Sequence, residues 1–166
     1  SHLGSMGDDY DRLRARENVH SALEKYGDEL TTLVGIWAYN ASAIADVVKE
    51  TGRRDKLTVV AFDAEAAAIE RMGEGYIDAL VVQNPYQMGY QSVRLLKALW
   101  QDNRSTIDDM LPNYVADDGD LYDTGLKVVV RDKNSPLSVE LFGPNTEFLT
   151  LEEFKAWLNR NGLTGS

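Results

Sequence analysis

The sequence predicts an α/β domain: a three-layer αβα arrangement around a mostly parallel sheet, with helices on both faces. Three observations carry that expectation. Short apolar runs at residues 33–38, 57–62 and 79–82 are separated by helical segments, which is the spacing of βαβ units. Each run ends at a polar residue just before a helix, namely Asn40, Asp63 and Gln83. The run Ala79-Leu80-Val81-Val82 is continuously apolar, as a strand covered on both faces requires.

The elements follow in order. Residues 11–26 lack Gly and Pro and carry Leu13, Val19, Ala22, Leu23 and Tyr26 near a 3.6-residue period; Gly27 ends this helix. Residues 33–38 read as a strand that stops at Tyr39-Asn40, and residues 41–50 as an Ala- and Val-rich helix closed by Gly52. A second strand spans 57–62, ending at Asp63, with a short helix over 65–72 and a turn at Gly73-Glu74-Gly75. The third strand is 79–82. Pro85 lacks the N–H that a central strand needs but suits the first turn of a helix, with Asn84 as its cap. That helix runs over 85–100, with Met88, Leu95, Leu96, Leu99 and Trp100 as candidates for burial. Residues 101–125 are polar and acidic and read as loop with one helical turn near 107–111. The aspartates at Asp117-Asp118-Gly119-Asp120 do not match a calcium-loop spacing and read as a solvated loop. A fourth strand at 126–130 and a Pro- and Gly-punctuated connector at 135–145 precede a last helix. Thr150 opens that helix with Glu153 as capping-box partner; Phe154, Trp157 and Leu158 form its apolar face, and Gly162 ends it.

Composition narrows the function classes. The chain has 166 residues, enough for one core, and a formal charge of −10, which argues against nucleic acid or an anionic membrane as partner. With no cysteine there is no disulfide, thiolate metal site or cysteine nucleophile, and two histidines make no metal or catalytic cluster. No glycine-rich phosphate loop, Ser/His/Asp set or phosphoacceptor pattern is present, so the expectation is a non-enzyme without cofactor or metal. Residues 1–6, Ser-His-Leu-Gly-Ser-Met, read as an expression remnant.

Asn40, Asp63 and Gln83 share one role in the βα punctuation, so all three belong at the carboxyl edge of the sheet, where ligands bind in open α/β folds. Carboxylate and amide groups together accept from and donate to hydroxyls, which suits a hydroxyl-rich ligand.

The series Gly35-Ile36-Trp37-Ala38-Tyr39-Asn40, Val60-Ala61-Phe62-Asp63 and Val81-Val82-Gln83-Asn84-Pro85, with Met88-Gly89 behind it, resembles the periplasmic sugar-binding proteins of ABC transporters. The likeness is to the ribose/galactose type, whose two-lobed type I fold is shared with LacI-type repressors. The resemblance covers residues 11–163 and includes Asp123-Thr124-Gly125 and the tail from Phe148. It implies two lobes joined by a hinge, sugar in the cleft between them, and Asn40, Asp63 and Gln83 as sugar ligands, with Trp37 and Tyr39 as candidates for stacking on a sugar C–H face and core packing as the alternative for Trp37. It further implies capture of a monosaccharide for an ABC permease in the periplasm. Against that family, residues 7–166 read as a C-terminal lobe: core 11–101, hinge and crossover 102–130, extension 131–166. Such a lobe is expected to bind sugar weakly and to self-associate as a homodimer through an open sheet edge. The alternative the resemblance leaves is the effector lobe of a LacI-type regulator.

Overall fold

The first helix begins where its cap allows. Asp11 accepts hydrogen bonds from the N–H groups of Leu13 and Arg14 at 2.8 and 3.3 Å, and helix α1 runs over Arg12–Tyr26. Ala15, Val19 and Leu23 face inward, whereas Leu13, expected on that face, points to solvent. This computed structural model describes residues 1–117 and 119–165; Asp118 of the acidic loop and Ser166 lie outside the described residues.

Strands β1 (Thr32–Gly35), β2 (Thr58–Phe62) and β3 (Ala79–Val82) are mutually parallel and alternate with helices α2 (Ala38–Glu50) and α3 (Ala66–Gly73). Strand β4 (Leu126–Val130) adds antiparallel to β3, and β5 (Thr146–Thr150) adds parallel to β4, in the spatial order β1-β2-β3-β4-β5. Helix α4 (Pro85–Trp100), helix α5 (Arg104–Met110) and helix α6 (Leu151–Arg160) complete a mixed, mostly parallel α/β sheet fold, the class expected. At the amino edge, Asp78 accepts from the Val59 N–H at 2.7 Å and pairs with the Arg54 guanidinium, which pins the register of β2 against β3.

Strand alternation sorts the core. Val59, Ala61, Leu80, Val82 and Val129 face a large cluster under α2, α3 and α6, centred on Met72, Ile77 and the fully buried Phe154. Val60, Ala79, Val128 and Val130 face the other way and are covered by Leu137, Phe142 and Phe148 from the connector and β5. The capping box at Thr150 forms as its sequence requires: the hydroxyl accepts from the Glu153 N–H at 3.3 Å, and the Glu153 carboxylate takes the Thr150 N–H at 2.8 Å.

Three expectations need correction. The first strand ends at Gly35 rather than at Ala38, because its pairing with β2 stops at Gly35↔Ala61 and the chain turns directly into α2. Residues 146–150, read as part of the tail, are a sheet strand. The apolar residues of α4 are not buried: Met88, Leu96, Leu99 and Trp100 are exposed, Leu95 is half-buried, and Ala98 is the buried residue of that helix. Its main packing partner is α5, so the apolar period marks a face without a covering sheet.

Candidate functional site

The site is built at the carboxyl ends of β1, β2 and β3. The register pairs Gly35 with Ala61, Ala61 with Leu80 and Phe62 with Val81, so the three strands finish level; β2 and β3 deliver Asp63 and Gln83 to that edge, and the first turn of α2, just past β1, brings Asn40 to it. Asn40, Asp63 and Gln83 all lie at that edge.

Asn40 is reached through a close approach. A Cβ on Gly35 would stand 2.9 Å from the Asn40 Cβ and 3.1 Å from the Ile44 Cδ1, so only glycine lets the start of α2 press against the end of β1. Trp37 precedes the first turn of α2, and its N–H donates to the Asn40 Oδ1 at 2.9 Å. The Asn40 Nδ2 donates in turn to the Asp8 carboxylate at 2.7 Å, and the Tyr39 hydroxyl donates to the same carboxylate at 2.5 Å. These bonds hold the Asp8 carboxyl below the usual carboxylate range, the Tyr39 bond contributing most. Burial, with the Asp8 charge beside it, pushes the Tyr39 phenol up to about 12. Asn40 is therefore engaged at both ends of its amide, with one Nδ2–H given to Asp8 and the second N–H left for a ligand.

Asp63 is arranged differently. It sits at φ 62°, in the left-handed region that costs most residues energy and that Asp tolerates better than most. Its N–H donates to the Val81 carbonyl at 2.8 Å as the last bond of the β2–β3 ladder, and its left-handed φ then turns the chain out of the strand. Burial raises its carboxyl above the ordinary range, and the backbone N–H of Gln83 acts against that rise. Among the described residues no side chain donates to this carboxylate. Gln83 is exposed at the tip of β3. Behind it, Asn84 accepts from the Gln87 N–H at 3.1 Å and Pro85 opens α4, as the sequence indicates. A half-buried acceptor without a side-chain donor beside an exposed primary amide can take hydroxyl hydrogens and return an N–H.

Trp37 is half exposed rather than a core residue, and it packs against Tyr10 with ring centroids 5.5 Å apart at 54°. Tyr10, itself 76% exposed, and Asp8 escaped sequence reasoning. They precede α1 in a short polar stretch, and only the packing of α1 on α2 brings them to the sheet edge. The rare positive φ at Asp9 and Tyr10 marks a tight turn there, but the local sequence, Gly7-Asp8-Asp9-Tyr10, offers only generic turn composition as its signal. Arg12 lies 5.5 Å over the Tyr39 ring and pairs with Glu65 at 3.2 Å; Ser42 donates to the same Glu65 at 3.0 Å. The starts of α1, α2 and α3 are thereby tied together around Tyr39. A cleft of about 790 Å³ runs from Leu3 and Met6 along β1 to Trp37 and Asn40, but its lining does not include Asp63 or Gln83.

Comparison with known proteins adds the family context. The sequence profile of the periplasmic binding protein domain matches residues 3–104, well over half of the chain. A solute-binding protein of an ABC transporter from Burkholderia graminis C4D1M, solved with D-arabinose, is 25% identical over 83% of this chain and 44% of its own, with a TM-score of 0.62. A glucose-galactose-binding protein from Geobacillus stearothermophilus is 30% identical over 55% of this chain and 32% of its own, with a TM-score of 0.52. An arabinose-binding protein from the same organism is 26% identical over 74% of this chain and 40% of its own, with a TM-score of 0.53. The chain thus spans a third to under half of the length of these structures. Among curated proteins no match is found.

Proposed function

This chain belongs to the periplasmic binding protein domain family, and from that premise we propose that it forms one face of a monosaccharide site in a solute-binding protein serving an ABC importer. The observation that carries the reading is the Asp63 carboxylate at the carboxyl edge, half-buried, without a side-chain donor and next to the exposed Gln83 amide. Asp63 accepts hydroxyl hydrogens, Gln83 both accepts and donates, and Asn40 gives its second Nδ2–H. The exposed rings of Tyr10 and Trp37 offer an apolar surface for the C–H face of a pyranose or furanose. The function is binding rather than catalysis, and the working compartment is extracytoplasmic. The permease meets the full-length protein.

The chain covers under half of its structural neighbours, and a small-ligand site buries most of the ligand surface. One face alone therefore binds weakly, with a Kd on the order of millimolar. Calorimetry with arabinose, galactose, glucose and ribose tests this. A weak signal for at least one sugar in the parent chain, abolished in Asp63→Ala, supports the reading; truncating a charged acceptor bonded to hydroxyls costs about 2 kcal/mol or more. Submicromolar binding, or binding indifferent to Asp63→Ala, contradicts it.

A further inference from the structure

Asp8 is held differently from the carboxylates around it. Asp9 pairs with Arg14, Glu65 with Arg12, and Asp46 with both Arg16 and Arg71. Among the described residues no cation contacts Asp8, and its partners are neutral donors. Its Oδ1 accepts from the Tyr39 hydroxyl at 2.5 Å and from the Tyr10 N–H at 3.1 Å, and its Oδ2 accepts from the Asn40 Nδ2 at 2.7 Å. The start of α1 fixes its place: the Asp11 N–H donates to the Asp8 carbonyl at 2.9 Å, and the Asn18 Nδ2 donates to the Gly7 carbonyl at 3.0 Å. Each carboxylate oxygen has two lone pairs, so Oδ1 is filled and Oδ2 has room for a second donor. A half-buried carboxylate fixed in place, without a cation and with one acceptor position left, is poised to take a hydrogen from a ligand.

The spacing of that position from Asn40 says what the ligand must carry. The second Nδ2–H of Asn40 diverges from the first by the trigonal angle of the amide. A hydroxyl oxygen accepting from it therefore stands roughly 5 Å from the Asp8 Oδ2. One hydroxyl cannot serve both groups along good hydrogen-bond directions. Two neighbouring gauche hydroxyls of a sugar ring can: the first accepts the Asn40 N–H, and the second gives its hydrogen to Asp8. We propose that Asp8 is a further ligand-contacting residue, which together with the Asn40 amide grips a vicinal diol of the sugar. The inference rests on the sugar site proposed above and adds a selection rule to it, since a sugar lacking either hydroxyl of that diol loses one of the paired bonds. The aromatic surface adjoins these residues in the chain: Tyr10 lies two residues beyond Asp8 and packs on Trp37, three residues before Asn40.

Amide shifts of an isotope-labelled chain, titrated with arabinose, galactose, glucose and ribose to about 100 mM, read even a millimolar site weakened tenfold. The tightest binder of the four is then compared with its monodeoxy derivatives on the parent chain, Asp8→Ala and Asn40→Ala. Asp8→Ala is expected to bind the intact sugar about tenfold more weakly or worse, as loss of a charged acceptor dictates. One deoxy derivative should bind Asp8→Ala and the parent alike, because the missing hydroxyl and the missing carboxylate are partners. A neighbouring ring position should behave in the same way toward Asn40→Ala. If Asp8 only holds Asn40 in place, Asp8→Ala weakens every derivative by the same factor, and the proposal fails. It fails also if the two coupled positions are not adjacent, or if Asp8→Ala binds as well as the parent or more tightly, the last marking Asp8 as an obstruction. Asp8→Asn, isosteric and still able to accept at Oδ1, offers an N–H where Oδ2 stood and should lose affinity for the intact sugar as well; circular dichroism checks the fold of each variant. Asp63→Ala separates this inference from the reading beneath it. Binding abolished there but unchanged in Asp8→Ala removes Asp8 and leaves the sugar site standing, whereas no saturable shift for any of the four sugars removes both.

Discussion

Replacing Gly35 with alanine drives a methyl group into the start of α2. The new Cβ meets the Asn40 Cβ at 2.9 Å, the Ile44 Cδ1 at 3.1 Å and the Asn40 carbonyl carbon at 3.3 Å. Ile44 can give at its far end, but Asn40 meets the methyl with its Cβ and its backbone. Ordinary contact begins at 3.4 Å, so the helix end must retreat by 3.4 − 2.9 = 0.5 Å. Two bonds lie in the path of that shift: the Trp37 N–H to Asn40 at 2.9 Å and the Asn40 amide to Asp8 at 2.7 Å. Overpacking of this kind costs roughly 1–3 kcal/mol. For a chain of this size each kcal/mol is about 2–4 °C in melting temperature, so the expected fall is about 2–12 °C. Thermal unfolding followed by far-UV circular dichroism measures it, with Gly89→Ala as the control. Gly89 sits inside α4 with open space around its missing Cβ, so that exchange stabilises by about 0.5–1 kcal/mol. If Gly35→Ala melts with the parent, the close approach of α2 to β1 does not hold the site as described.

Two further outcomes follow from the same geometry. Burial raises the Asp63 carboxyl, so its stability contribution is fully present below the unfolded carboxylate range and is lost as pH rises through the folded one. Asp63→Asn, which cannot ionise, should therefore be more stable than the parent at neutral pH, and the gap should close as pH falls through the carboxylate range. Denaturant unfolding at a series of pH values reads this, and a gap independent of pH would show that Asp63 is solvated. Phe154 is fully buried between α6 and the sheet, so Phe154→Ala should cost about 3–5 kcal/mol. A small loss would mean that α6 does not belong to the core.

The sheet interior and its punctuation were legible because each rests on local chemistry. Ala79–Val82 can only be a covered strand, Asn84-Pro85 can only start a helix, and Thr150 with Glu153 writes its own cap. Boundaries were less legible where apolar residues continue past the pairing. Ile36 and Trp37 look like strand, yet the ladder stops at Gly35 because Asn40 caps the turn behind it. Strand β5 was missed because Thr146–Thr150 is short, mixed in polarity and wedged between a glycine-rich connector and a capping box. Periodicity in α4 announced an apolar face but not what would cover it. The edge position of Asp63 and Gln83 was readable from strand endings, whereas Asn40, expected to end the first strand, reaches the edge from the first turn of α2. The commitment of Asn40 to Asp8, and the Tyr10–Trp37 pair, depend on α1 folding back over α2, which no window of sequence contains.

Whether Asp63 and Gln83 meet a sugar is read most directly by chemical-shift mapping. An isotope-labelled chain titrated with aldopentoses and aldohexoses to about 50 mM, enough to load a millimolar site, should show saturable shifts concentrated at the backbone amides of Asp63 and Gln83 and at the Trp37 indole. The same titration of Asp63→Ala should leave those signals still. Saturable shifts confined to other surfaces, or no saturable shift for any of these sugars, would contradict a monosaccharide site at this edge.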